Sequence, residues 1–183
     1  MYDRRIGDVG LALLYSDELL KVMEEELGEN PVPYFYGLWY ELDGESERIR
    51  HCYMNAATKL YKKNFSQKIG DWCRAHGVDY IGHVIEDNGC HARMTYGAGH
   101  YFRAISGQSM GGIDIVLHQV EPGFANHNQI ISCGKFGNTE FFHYGLGKLA
   151  SSISHIYPHM QNRAMCEVFG AYGWAENTPL MKW

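Results

Sequence analysis

The feature that most constrains this chain is a long amphipathic pattern that runs into one glycine and then an apolar segment. From near Ser46 to near His76, apolar residues recur at helical spacing: Tyr53, Ala57, Leu60, Tyr61, Phe65, Ile69, Trp72 and Cys73. Gly77 is the natural stop. Val78-Asp79-Tyr80-Ile81-Gly82-His83-Val84-Ile85 then reads as a buried strand, because strands covered on both faces are nearly continuous apolar runs. Helix, glycine and strand in that order make the αβ half of a βαβ unit.

The order recurs. A helix around His100 to Ser106 precedes Gly111-Gly112 and the strand Ile113–Leu117. A helix from about Thr139 to Ile156, capped by Asn138, turns Phe142, Leu146, Leu149, Ala150 and Ile153 inward, and leads to the strand Ala164–Phe169. Upstream, Ser16 caps a helix to Leu27 with Leu19, Leu20, Met23 and Leu27 on one face, and Gly28 stops it. Asn30-Pro31-Val32-Pro33 breaks the chain, and Tyr34–Tyr40 reads as either a buried strand or a packed loop.

Helix–strand alternation implies parallel strands and an α/β fold. The 183 residues suit a single domain, at roughly 100–200 residues each. A (β/α)8 barrel needs about 250. Residues 1–183 therefore read either as a small open sheet or as a partial (β/α)8 TIM-barrel segment with about three parallel strands. A final helix that begins at Thr178-Pro179 and stops at Trp183 favours the segment, cut from a larger catalytic barrel. Two strand-to-helix loops are long, 87–97 and 120–137. Both follow the carboxyl ends of strands, where α/β folds place their sites.

Composition removes several function classes. Lys+Arg is 16 against 21 Asp+Glu, a net charge of -5, and no basic cluster offers a nucleic-acid surface. No apolar run has the ~18 residues of a membrane span, and no apolar segment follows Met1-Tyr2-Asp3-Arg4-Arg5 as a secretory signal would require. Cys52, Cys73, Cys90, Cys133 and Cys166 are odd in number and form no C-x-x-C, so reduced thiols in a cytoplasmic protein follow. The glycine-rich runs at Gly97–His100 and Gly107–Gly112 match no phosphate-binding fingerprint, and Ser109 sits in no nucleophile elbow.

Two carboxylates stand out. Glu86 sits where an apolar strand ends and a long loop begins, desolvated enough for a tuned pKa and open enough to meet substrate. A loop-anchoring salt bridge explains it equally simply. Glu167 is the only charge in Met165-Cys166-Glu167-Val168-Phe169, and burying it unpaired is costly. Catalysis accounts for it; so does an ion pair with Arg163 or Arg103. His83, Asn88, His118 and Gln119 flank the same strand ends as candidate hydrogen-bonding groups for ligand hydroxyls, and Tyr172 and Trp174 as a sugar platform. His83, His91, His100 and His118 lack metal-ligand spacing, so no metal site is assigned.

The run Ile69–His83 resembles the helix–strand unit W-C-x-x-H-G-x-x-x-x-G-H of large bacterial glycoside hydrolases, here Trp72-Cys73, His76-Gly77 and Gly82-His83. Gly112-Ile113-Asp114 resembles the start of the next strand. Cys166-Glu167-Val168-Phe169-Gly170-Ala171-Tyr172-Gly173-Trp174 resembles a strand end in the same proteins, the family-2-like and α-L-rhamnosidase-like glycosidases. The C-E-x-x-x-A-x-G fragment is also similar to the nucleophile strand of family-2 β-galactosidases. The likeness spans roughly 53–183. It implies a carbohydrate-active barrel without a cofactor, Glu167 as one catalytic carboxylate and Glu86 as the second. In many such barrels the acid/base Glu follows an Asn, whereas Ile85 precedes Glu86 here. Calcium is a candidate structural ion of the full protein. An isolated segment of such a barrel is expected to be inactive and to self-associate through its open strand edges. Rival readings are a metal-dependent sugar isomerase or aldolase-type barrel and a non-catalytic carbohydrate-binding domain.

Overall fold

The computed structural model describes residues 13–84, 98–116, 119–120, 129–131, 135–137 and 141–170. Its architecture is α/β. Helix α1 (Asp17–Leu27) begins where sequence reading places it: Ser16 Oγ accepts the Leu19 N–H at 3.0 Å. Gly28, at φ 74, ends it in the left-handed conformation that glycine adopts without strain. The aromatic segment, readable either as strand or as loop, is a 3-10 helix, Val32–Leu38. Helix α2 (Ser46–Tyr61) passes through one π-helical stretch, Lys62–Gln67, into α3 (Lys68–Ala75). Leu19 and Met23 of α1 pack on Ile49, Cys52, Tyr53 and Ala56 of α2. Fully burying a side chain such as Met23 is worth about 1.5–3 kcal/mol.

Helix α4 (Tyr101–Ile105) precedes strand β1 (Gly111–Val116). A short antiparallel hairpin, β2 (Gln129–Ile131) with β3 (Lys135–Gly137), occupies part of what reads in sequence as a loop. A π-helical turn at Phe141–Gly145 leads into α5 (Leu146–Ile156), a 3-10 turn at Pro158–Met160 and strand β4 (Ala164–Gly170). Strands β1 and β4 pair in parallel, with Asp114 opposite Glu167. Phe142, Leu146, Ala150 and Ile153 are buried with Ile113, as their spacing requires, and Leu149 is partly buried beside them. Asn138, the expected cap, and the helix expected at 178 lie outside the described residues.

The expected strand at 78–85 differs. Residues 78–84 carry no strand ladder. They cross close to β1 instead, held at Tyr80, whose carbonyl accepts from Ser109 N at 2.7 Å and whose N–H donates to Ser109 Oγ at 3.1 Å. A Cβ on Gly112 would fall 1.6 Å from the Gly82 carbonyl oxygen, so the two backbones approach too closely for any side chain at Gly112. The described residues thus hold two parallel strands rather than three, and residues 78–84 pass β1 at this glycine-to-glycine contact outside its ladder.

Asp79 ties this segment to the start of β4. Hydrogen bonds from the Ser109 hydroxyl and from Arg163, at 3.3 Å, hold its carboxyl below the usual value of 3.8. Because the folded pKa is depressed, the contact supports the fold above the unfolded value and is lost as pH falls through the folded one. An NMR titration should find the Asp79 midpoint below 3.8, and moved upward by Arg163→Met. A midpoint at or above that value would remove the link.

Candidate active site

Side chains alternate along a strand, so position decides face. A Cβ on Gly111 would strike the Ala150 carbonyl and Ile153, so Gly111 faces α5. Asp114, three residues on, projects from the opposite face, and the parallel register sets Glu167 beside it. The close passage of Gly82 over Gly112 delivers His83 to the same place. Its Nδ1 lies 3.6 Å from Asp114 Oδ2 and its Nε2 lies 3.3 Å from Glu167 Oε2. One imidazole therefore sits between two carboxylates.

Local hydrogen bonding orients the ring. Nδ1 stands 2.6 Å from the Val84 carbonyl, which only accepts, so Nδ1 carries a proton. When the ring is doubly protonated, Nε2 donates to Glu167 and the positive charge lies between the two acids. Like charges directly opposed across strands are destabilising, a cost that a protonated imidazole between them would offset.

The two carboxylates live in different surroundings. The Asp114 side chain is 3% exposed, the Glu167 side chain 59%. Burial, expected at Glu167, falls on Asp114 instead: His83 and its segment lie over β1, and Glu167 on β4 stays open to solvent. Strand β4 also runs three residues past Glu167 to Gly170, so Glu167 lies within the strand and not at its carboxyl end. The cations weighed as its partners are engaged elsewhere: Arg163 with Asp79 and the Ser109 carbonyl, Arg103 with Thr58 Oγ1 and the Asn55 carbonyl.

Of the candidates read from sequence, His83 and Glu167 come together here. Gln119 is buried and folds back on β1, its Oε1 accepting the Val116 N–H at 3.1 Å, which is a strand-end role. Glu86, Asn88, His118, Tyr172 and Trp174 lie outside the described residues. Asp114 was missed as a site residue, although it carries the same signal that singled out Glu167: a lone charge in an apolar strand.

A cavity of about 370 Å³ opens beside His83. Its described walls are aromatic at Tyr61, Phe65 and Tyr80, aliphatic at Ile105, and polar at His83 and Gln108. The π-helical stretch sets this wall: Tyr61 and Phe65 flank its first turn, ring centroids 5.1 Å apart. Burial raises the hydroxyl pKa of both Tyr61 and Tyr80 above the usual 10.0, so both remain protonated donors. Gln108 is 3% exposed, and its Oε1 has no hydrogen-bond partner among the described residues. Leaving such an atom unpaired costs about 1–3 kcal/mol.

No group of three or more His, Cys, Asp or Glu side chains suited to holding a metal ion occurs among the described residues. No described helix is long and apolar enough to cross a membrane. No family model, curated protein or solved structure matches the chain.

Proposed function

We propose that this chain is part of the catalytic barrel of a glycosidase that hydrolyses O-glycosidic bonds through carboxylates, with no cofactor. The observation that carries the reading is the imidazole of His83 held between Asp114 and Glu167 beside an aromatic-walled cavity. Paired acids in unlike environments are how one site runs nucleophilic and structural roles at the same pH.

In this reading Glu167 is the nucleophile. Its exposed carboxylate attacks the anomeric carbon as the glycosidic C–O bond breaks, and the leaving oxygen takes a proton from an acid. Glu86, three residues beyond His83, is the acid expected from sequence. Water, deprotonated by the same residue, then displaces Glu167 and releases the sugar with retained configuration. Asp114 and His83 are positioning residues: the Val84 carbonyl orients the ring beside the buried carboxylate of Asp114, and the ring holds Glu167. Support for an inward, substrate-facing placement comes from the face on which Asp114 and Glu167 project, opposite α5.

The test is a panel of 4-nitrophenyl glycosides. The intact protein should turn over at least one, and the 183-residue chain alone should show nothing above background, because a partial barrel lacks the loops that complete the site. No turnover by the intact protein on any sugar would end the reading. Turnover that requires stoichiometric divalent metal would favour a sugar isomerase or aldolase-type barrel instead.

Self-association belongs to the same proposal. Ala164, Cys166, Glu167 and Val168 of β4 are all exposed, although the run reads as a covered strand. An open edge is a template for pairing. Light scattering at tens of micromolar should give a dimer or larger species; a clean monomer would point to a self-sufficient open sheet.

A further inference from the structure

We propose that Arg103, with Lys62 and His100 beside it, forms a second site that binds a doubly charged phosphate group. The site shares no residue with the His83 cluster or with the described walls of the cavity, and it does not depend on the glycosidase reading.

Arg103 is half-buried and already oriented. Its Nη1 donates to the Thr58 hydroxyl at 2.6 Å and to the Asn55 carbonyl at 3.1 Å, which uses both protons of that nitrogen. The remaining donors, on Nε and Nη2, have no hydrogen-bond partner among the described residues, and neither nitrogen is sealed from solvent. This Nε–Nη2 edge is the side of a guanidinium that receives two oxygens of an oxyanion in parallel. Anchoring at Nη1 presents the edge with much of the ordering cost of a long side chain already met by the fold.

The surrounding charge selects a dianion. Lys62 stands one turn beyond Thr58, at the start of the π-helical stretch, half-buried with its ammonium 5.5 Å from the Tyr157 ring centroid. Among the described residues, neither Arg103 nor Lys62 forms an ion pair. The carboxylate that acts on Arg103 at longer range, Glu26, is itself bonded to Lys59 and Asn55. Two positive charges are thus left without a matching acid, in a chain whose net charge is -5. A carboxylate would match one of them; a phosphate dianion matches both. His100, which caps α4, responds to the same surplus. Burial, and behind it the charges of Arg103 and Lys62, holds its imidazole below the usual 6.5. Its Nδ1 accepts the Arg103 N–H at 3.4 Å, so the neutral ring keeps a donor on Nε2.

The experiment is an NMR titration of the 183-residue chain with inorganic phosphate, against chloride and acetate at matched ionic strength. At about pH 7.5 phosphate is largely dianionic. It should shift the Arg103 Nε–H and His100 ring signals saturably and bind about tenfold or more tightly than acetate. Bound phosphate should also raise the His100 midpoint, because a nearby anion favours the imidazolium. Lys62→Met keeps most of the stem and removes the charge, and should weaken phosphate about fivefold or more. Arg103→Lys keeps the charge and loses the two-oxygen edge, and should weaken it about tenfold. Glucose 6-phosphate separates the two sources of the group: tighter binding than inorganic phosphate assigns a phosphate ester, equal or weaker binding the free ion, and both keep the site. Shifts that chloride reproduces would overturn the proposal. So would acetate binding as tightly as phosphate, or phosphate binding that Lys62→Met leaves unchanged, even if the Arg103 variant does not fold.

Discussion

On the proposed glycosidase reading, Glu167→Gln should lower aryl glycoside turnover by the intact protein at least ~10³-fold, about 4 kcal/mol of transition-state stabilisation. The amide keeps the shape of the carboxylate and its place opposite Asp114 but has no charge with which to attack or stabilise the anomeric carbon. Folding should be unaffected. The side chain is 59% exposed, and surface substitutions of this kind change stability by about 0.5 kcal/mol or less. The thermal midpoint and circular dichroism of the variant should therefore match wild type while turnover collapses. Glu86→Gln should behave likewise, with azide restoring activity on an activated aryl glycoside, since the anion attacks the anomeric carbon and displaces Glu167 without needing a base. Near-wild-type turnover in Glu167→Gln would end the assignment of the nucleophile. Near-wild-type turnover in Glu86→Gln alone would move the acid/base elsewhere.

Gly70→Ala should destabilise the chain by about 3 kcal/mol, against the sign of helix propensity. Alanine in place of glycine inside a helix ordinarily stabilises by roughly 1 kcal/mol. At Gly70 in α3, the new Cβ would lie 2.0 Å from the carbonyl oxygen of Gly107 and 2.8 Å from its carbon. Both are backbone atoms, so relief requires α3 and the loop after α4 to separate. The reciprocal contact is equally tight, with a Cβ on Gly107 1.9 Å from the Ser66 carbonyl. Separation would also break the 2.9 Å hydrogen bond from Gly107 N to Ser66 Oγ. Gly147→Ala in α5 is the control, because among the described residues nothing lies within 4 Å of its Cβ position. It should stabilise by about 0.5–1 kcal/mol. At roughly 2–4 °C per kcal/mol for a chain of this size, the two variants should differ in thermal midpoint by about 7 °C or more. Equal midpoints would show that the crossing opens without cost.

Local chemistry in the sequence determined the elements whose signals are short-range. Ser16 and Gly28 bound α1 because a side-chain acceptor and a positive φ are properties of those residues themselves. The inward face of α5 and of the π-helical turn before it was legible because Phe142, Leu146, Ala150 and Ile153 follow one period. The parallel pairing of β1 with β4 follows from alternating helices and strands. Other features depend on what lies across from a residue, which no local pattern encodes. Trp72 continues the helical stripe of α2 and α3, yet it is 60% exposed and stacked on His76. Residues 78–84 have the composition of a strand, but they pass β1 at a close approach of Gly82 to Gly112 and carry no ladder. Asp114 and Glu167 are each the lone charge of an apolar strand. Only the register that sets them side by side, and the segment that carries His83 over β1 and not over β4, made one the buried anchor and the other the open carboxylate.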